Sequence, residues 1–404
     1  MAAAAKAFLE LWLPAMAVLV AGLWRAWQTG QADPWDWSIA VAALMAAAGF
    51  LLAHRGIIVL LWAAIGASAP ILIFCALAAG RLELWSALGV TVIALLLVLA
   101  AAWVRHAPIR RGRVAALGMI AVAGLIFSFG SAQPLTPVDA RPRLAVLTGL
   151  PLFWEERGAV GKGPRDAPII TVLRTRFTIL PLDDPRDLPG TGARQILIAQ
   201  PRALSPEQLV ALDGWVRDGG RALVLADPLL RWSSALPLGD RRRAPTTTLL
   251  APLLTRWGFV PGRLHPLEVR NFLADSRLMT VSSAWLPHGQ AVPPQPVGRG
   301  WVRIMGDADM IDDRLWLADP AQPLNPRFWS ADTPAVMLHW LGASAPEARP
   351  WMRGPADVMV ALRWAILVGT GWAMLGGALL RQHFRRRGQE QKVKIWSGKR
   401  AKSV

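Results

Sequence analysis

Long stretches without a charge dominate the first third of the chain. Apolar segments lie at about 9–27, 37–53, 57–79, 84–104 and 114–131, and a sixth at about 357–380, "DVMVALRWAILVGTGWAMLGGALL". A helix needs about 20 residues to cross the hydrocarbon core of a bilayer, so the pattern predicts about six transmembrane helices. Pro14 and Pro70 interrupt the first and third segments. Proline is tolerated in such helices where neighbours satisfy the freed carbonyls. The first segment has a single lysine before it and further spans directly after it, which is not the plan of a cleaved signal peptide.

The pattern changes after the Pro-rich connector "SAQPLTPVDARP" (131–142). Short apolar strands then alternate with amphipathic helices. "RLAVLTG" (143–149), "TILPLD" (178–183), "RQILIAQP" (194–201) and "RALVLADP" (221–228) read as strands, and "DAPIITVLRTRF" (166–177) reads as a helix. In "LSPEQLVALDGWVRDGG", Ser205 is placed to cap a helix, Pro206 suits its first position and Gly219–Gly220 end it. Leu209, Leu212 and Trp215–Val216 give that helix an apolar stripe. "PTTTLLAPLLTRWGF" (245–259) reads as a capped helix, and "WVRIMGDADMIDD" (301–313) as a strand and an acidic turn. "TPAVMLHWLGA" (333–343) reads as a helix with Thr333 at its cap and Pro334 at its first position. The alternation predicts a doubly wound parallel sheet with helices on both faces. The expected organisation is a five-helix transmembrane region (1–135), an α/β domain (136–355), a final transmembrane helix (356–381) and a basic tail (382–404).

The 404 residues are 53% hydrophobic, with 21 Trp and no Tyr. Tryptophan favours membrane interfaces, where its ring is apolar and its N–H stays wet. The net charge of +17 invites a nucleic-acid reading. Its location argues otherwise, because residues 356–404 hold ten Lys/Arg against two Asp/Glu. Loops and tails beside apolar spans are where the positive-inside rule puts such residues. The middle region has no basic groove interleaved with aromatics, and no nucleic-acid partner is expected. Arg105, Arg110, Arg111 and Arg113 lie between spans four and five, which places that loop in the cytoplasm. Arg385, Arg386 and Arg387 place the tail there too. One topology satisfies every loop: both termini inside, and residues 132–356 outside a bacterial inner membrane.

Cys75 is the single cysteine and lies in an apolar run. It excludes an intramolecular disulfide and a thiolate metal site within one chain. Carboxylates end two predicted strands: Asp227 after "ALVLA", and Asp307 and Asp309 after "VRIMG", with Asp312 and Asp313 beyond. Open α/β sheets bind ligands at that edge. Asp227, Asp307 and Asp309 are therefore candidate ligand-binding residues, and Asp307, Asp309 and Asp312 candidate oxygen ligands for a divalent cation. The alternative is that these aspartates cap helices or shape turns. Glu155–Glu156 and "GAVGKGP" (158–164) read as solvated turn and loop, and "GDRRRAP" (239–245) as a solvated cationic turn. His265, His288 and His339 show no ligand spacing. There is no GxSxG and no GxxxxGK[ST], so no catalytic residue and no cofactor is expected. Arg363 is the one charge within span six, with Asp357 as its expected partner.

"ILIAQPRALSPEQLVALDGWVRDGGRALVLADP" together with "WVRIMGDADMIDD…TPAVMLHWLG" resembles the auxiliary domain of GldG-like proteins that accompany ABC-type transporters. The correspondence falls at Pro201, Ser205, Leu212, Trp215, Gly219, Gly220, Asp227 and Pro228, and at Gly306, Asp307, Asp309 and Trp340. Met310 stands where that family has Phe, and five N-terminal spans stand where its members often show one. The resemblance implies a flavodoxin-like fold similar to the class I glutamine-amidotransferase domain, lying outside the membrane. It also implies a non-enzymatic accessory role, with an ABC ATPase and a permease as partners alongside the lipid bilayer. Amidotransfer needs a cysteine nucleophile on a strand–helix elbow, and residues 136–355 contain no cysteine. Two other functions fit the residues: a metal-dependent enzyme acting on an envelope glycan or lipid, and a sensor signalling through the last helix.

Overall fold

The structure, a computed structural model, describes residues 2–106, 109–130, 132–154, 166–237, 239–282, 284–286 and 293–400; the side chains of residues 2–4, 106, 109–111 and 380–400 are outside it. Glu155, Glu156, the 158–164 loop and His288 lie outside the described residues.

The chain runs α1 (Ala2–Thr29), α2 (Ser38–Leu52), α3 (Ile57–Ala79), α4 (Leu84–His106), α5 (Ile109–Phe129), β1 (Arg143–Thr148), α6 (Pro168–Leu173), β2 (Thr178–Pro181), α7 (Leu188–Thr191), β3 (Gln195–Ala199), α8 (Pro206–Arg217) and β4 (Arg221–Leu225). It continues with α9 (Ala251–Arg256), β5 (Arg263–Leu264), β6 (Glu268–Phe272), β7 (Leu278–Ser282), β8 (Trp285–Leu286), β9 (Gln295–Val297), β10 (Gly300–Met305), α10 (Asp313–Trp316), α11 (Thr333–Trp340) and α12 (Pro355–Arg400). Two compact units result: Met1–Ser131 with Pro350–Val404, and Ala132–Arg349.

In the helical unit, six segments are long and apolar enough to cross a membrane: Ala5–Thr29, Pro34–Arg55, Ile57–Ala79, Leu84–Arg105, Gly112–Phe129 and Pro355–Leu379. Arg110, Arg111 and Arg113, expected in a loop, instead lie in the first turns of α5, because that helix begins before its apolar stretch does. Arg105 donates to the Phe50 carbonyl at 2.5 Å. Arg385, Arg386 and Arg387 fall on α12, with side chains outside the described residues. Arg363 and Asp357 are both exposed and form no ion pair; six residues apart on one helix, they leave from different sides.

Several tryptophans bind helices together inside the unit. Trp35 and Trp37 are fully buried in a short turn, Pro34–Trp37, whose cap Asp33 accepts the Trp35 N–H. Trp37 Nε1 donates to the Leu19 carbonyl, and Asp36 pairs with Arg25 at 2.8 Å. Trp62 of α3 and Trp372 of α12 stack with centroids 4.2 Å apart. Each indole N–H donates to the backbone carbonyl of the other residue, at 3.1 and 2.9 Å. Gly66 makes room: a Cβ there would lie 2.5 Å from Trp372 Cδ1.

In the α/β unit the main sheet has the order β2-β1-β3-β4-β10-β9. Its first five strands are parallel and β9 is antiparallel to β10. Counting β10 as the fifth parallel strand, this is the flavodoxin-like 2-1-3-4-5 order with an added edge strand. Side chains alternate across it. Ala145, Leu147, Ile196, Ile198, Val224 and Ile304 share one core with Leu212 and Val216 of α8 and Leu253 of α9. Arg303, of the other parity, stands over the Trp340 ring at 5.3 Å, so α11 covers the opposite face.

Ser205 caps α8 in a full capping box with Gln208. Beyond α8, Gly219 takes φ 115°, and the turn lies so close to β10 that a Cβ on Gly300 would sit 2.1 Å from the Gly220 carbonyl oxygen. Three helices are shorter than the sequence suggests, among them α6, Pro168–Leu173 in place of 166–177, and α11, which ends at Trp340. The one expected from 245 starts at Ala251, after Leu250, which makes no side-chain cap. For α11 the cap position is Asp332 and Thr333 is already helical, because the Asp332 carboxylate turns to the Leu278 N–H of β7 instead.

Trp62→Phe and Trp372→Phe each remove one interhelical hydrogen bond and keep a ring. Each is expected to cost about 0.5–2 kcal/mol. The double variant is expected to lose less than the sum, read as a double-mutant cycle of melting temperatures in detergent.

Candidate functional site

The register of two neighbouring strands builds the site. Leu225 of β4 pairs with Met305 of β10. Two residues past each paired end stand Asp227 and Asp307, level with each other, and a tight turn brings Asp309 back beside them. The three side chains each place an oxygen within 4.8 Å of the others, and each residue is 0% exposed. Asp312 is not in the group. It is the N-cap of α10 and accepts the Arg314 N–H at 3.1 Å.

Backbone donors surround the three carboxyl groups. Asp227 accepts from the N–H groups of Leu229, Ala308 and Asp309. Asp307 accepts from Ser282 at 2.7 Å and Met310 at 3.1 Å. Asp309 accepts from Arg231 at 2.7 Å. The cluster therefore ties the ends of β4, β7 and β10 to the loop after β4. Asp309 Oδ1 and the Ser282 hydroxyl have no partner among the described residues.

Burial raises all these acids. It holds Asp307 well above the usual carboxylate range, with the Asp227 charge adding to the effect. Burial also raises Asp227, against the pull of its backbone donors. Asp309 is pushed up to about 7 by burial and by Asp227. Burial lifts Asp312 to about 6, and its bond with Asp313 adds to the rise. Burial and the Asp227 charge thus both favour the protonated form of Asp307, the behaviour of like carboxyls forced together. The remaining lone pairs could take a cation, with Asp309 Oδ1 the least committed oxygen.

Gln200, which sequence reasoning passed over, is the link to the next strand. It follows β3 with φ 44°, a left-handed conformation uncommon outside glycine. It is fully buried. Its Oε1 accepts the Asp227 N–H at 2.9 Å and its Nε2 donates to the Pro245 carbonyl at 3.0 Å. Gly149, after β1, donates to the Gln200 carbonyl, and a Cβ there would lie 2.8 Å from that oxygen. The bend between β3 and α8 thus presents a buried carboxamide, which is no nucleophile. "AQP" in the sequence gave no sign of the positive φ. His265 and His339 are exposed and stand apart from the cluster.

Residues 141–260 match the model of a family described as an ABC-type uncharacterized transport system, of which such domains are auxiliary components. This bears out the resemblance to the GldG-like auxiliary family over that part of the chain. The six apolar helices among the described residues are those of a membrane protein. No curated protein matches the chain. Among solved structures, the chain is similar to the exo-beta-1,4-mannosidase Op5Man5 from Opitutaceae bacterium strain TAV5, at 12% identity and TM-score 0.28, covering 59% of this chain and 41% of that one. It is also similar to a cold-adapted beta-galactosidase from Rahnella sp. R3, at 14% identity and TM-score 0.26, covering 60% and 36% respectively. The chain thus spans about two fifths of these enzymes or less, and likeness at that level carries no argument about activity.

Asp307→Asn offers one acceptor where two backbone donors need one each. It is expected to cost about 1–3 kcal/mol. An acid whose pKa is raised by folding binds its proton more tightly folded than unfolded. Between the unfolded value near 4 and the folded value, stability therefore falls as pH rises. For Asp309 that window runs from about pH 4 to about 7. The full chain is expected to melt higher at pH 5 than at pH 8, and Asp309→Asn, which keeps an acceptor for Arg231, to flatten that slope. Thermal melts across pH check both. A rise in melting temperature with added Mg²⁺ or Ca²⁺, lost in Asp309→Asn, would instead assign the cluster to a cation.

Proposed function

We propose that the chain is a non-enzymatic, membrane-anchored accessory subunit of an ABC-type transport or export system. In this reading its α/β domain works outside the membrane by binding a partner or ligand. The observation that carries the reading is the engagement of the sheet's carboxyl edge. Asp227, Asp307 and Asp309 turn to backbone donors, and the bend after β3 holds Gln200 instead of a nucleophile. The three aspartates then hold strand ends together and do not meet substrate. The family match over residues 141–260 supports the transport setting.

The topology proposed with it follows Lys and Arg. Arg105, Arg110, Arg111, Arg113 and the tail with Arg385, Arg386 and Arg387 face the cytoplasm of a bacterial inner membrane, and the α/β domain faces the periplasm. ATP hydrolysis belongs to a separate subunit, since the chain has no phosphate-binding motif.

Affinity purification from the native host in mild detergent, with mass spectrometry, tests the partnership. Stoichiometric recovery of an ABC ATPase and a permease is expected; a folded, homogeneous chain recovered alone would sink the reading. Alkaline phosphatase fused after residue 142 is expected to be active, and a fluorescent protein fused at the C-terminus to fold in the cytoplasm. The reverse pattern would invert the topology.

A further inference from the structure

The carboxyl edge of the sheet has an open side as well as the locked one. A cleft of about 930 Å³ lies there, within the α/β unit. That volume is within the range of small-molecule sites. Its walls come from Pro151 and Trp154 after β1, Asp166 and the start of α6, and the segments after β4 and β10. Asp227, Asp307 and Asp309 do not line it.

The lining restricts what it can take. Trp154 and Trp232 are half-buried, so each offers part of an indole face. No Lys, Arg or His lines the cleft among the described residues, which disfavours phosphate, sulfate and carboxylate ligands. Carboxyl and amide groups interrupt the apolar surface, which disfavours an acyl chain. Asp166 is already neutralised by Arg174, at 2.5 and 3.2 Å. Asp313, half-buried, bonds with Asp312 and is the lining carboxylate with no Arg partner among the described residues, so an oxygen beyond that bond is there to accept hydroxyl donors. Asn325 uses Oδ1 on the Arg327 N–H, so Nδ2 is the donor it offers.

We propose that this cleft binds a neutral saccharide. A sugar ring has a C–H face that stacks on indole and a rim of hydroxyls that need both acceptors and donors. Trp154 and Trp232 supply the first, and Asp313 and Asn325 the second. The inference goes beyond the transporter role and is read on the isolated chain. A failed co-purification leaves it standing, and a failed sugar titration leaves the partnership standing.

The test uses the full chain in lipid nanodiscs free of alkyl-glycoside detergent, which would compete. Maltotetraose, cellotetraose and chitotetraose are titrated by calorimetry and by saturation-transfer NMR. Binding of at least one is expected. Trp154→Ala and Trp232→Ala are each expected to weaken it by about tenfold or more, and Asp313→Ala to weaken it too. Trp232→Phe keeps a stacking face and is expected to retain most of the affinity; unchanged melting curves show that the variants fold. Three results overturn the proposal: no binding of any of the three sugars, binding indifferent to both tryptophans, or binding of tetramethylammonium in an Asp313-dependent way while the sugars fail.

Discussion

Three carboxyl groups cannot share one dry site as three anions. The Coulomb repulsion and the lost hydration would each cost several kcal/mol. At the ends of β4 and β10 the chain meets this constraint by supplying backbone N–H groups from three segments, while burial raises the pKa of each acid. Apart from Ser282 at the end of β7, those N–H groups belong to loops that no regular ladder satisfies. The carboxylates thus answer two needs at once, their own charge and the orphaned donors of strands that have just left the sheet. Gln200 extends the arrangement to β3, so that three adjacent parallel strands end in one connected polar network.

The helical unit faces the same demand with different groups. An indole N–H buried among helices needs an acceptor, and the acceptors at hand are backbone carbonyls. Trp62 and Trp372 satisfy each other's backbone reciprocally across α3 and α12, while Trp37 reaches back to Leu19 of α1. Glycines and alanines at the facing positions let these large rings in, as at Gly66 and Gly22, where a Cβ would fall 2.5 and 2.1 Å from an indole atom. The last helix is thereby held to the third, 310 residues apart at Trp62 and Trp372, and the Trp12 indole N–H, donating to the Thr370 hydroxyl, holds it to the first.

Much of this was legible in the residues. Charge-free runs fixed the six apolar helices to within a few positions, because hydrophobic length is a one-dimensional property. Ser205, Pro206 and the Gly219–Gly220 turn announced α8, because capping is local chemistry. Asp227, Asp307 and Asp309 could be picked out as strand-end acids, but their meeting could not. It depends on β4 and β10 being neighbours and on Leu225 facing Met305, which is set by the whole sheet. Asp312 was misjoined to the group for the same reason, since its nearness in sequence counts for nothing once it caps α10. Gln200 was invisible because its left-handed φ comes from the close approach of Gly149 and Asp227, residues from two other strand ends.

The locked cluster and the open cleft divide one edge of the sheet between them. A doubly wound fold collects the ends of its strands there, so whatever residues fill that edge decide whether the domain reacts, binds or only stands. Where β4 and β10 meet, most donors and acceptors are matched to each other, and Asp309 Oδ1 and the Ser282 hydroxyl are what is left to offer. Towards Pro151 and Trp154 the chain leaves indole faces, hydroxyl, carboxyl and amide groups partly uncovered, with no Lys, Arg or His among the described lining residues. What this edge does is therefore set by its own side chains, whatever enzymes share the fold.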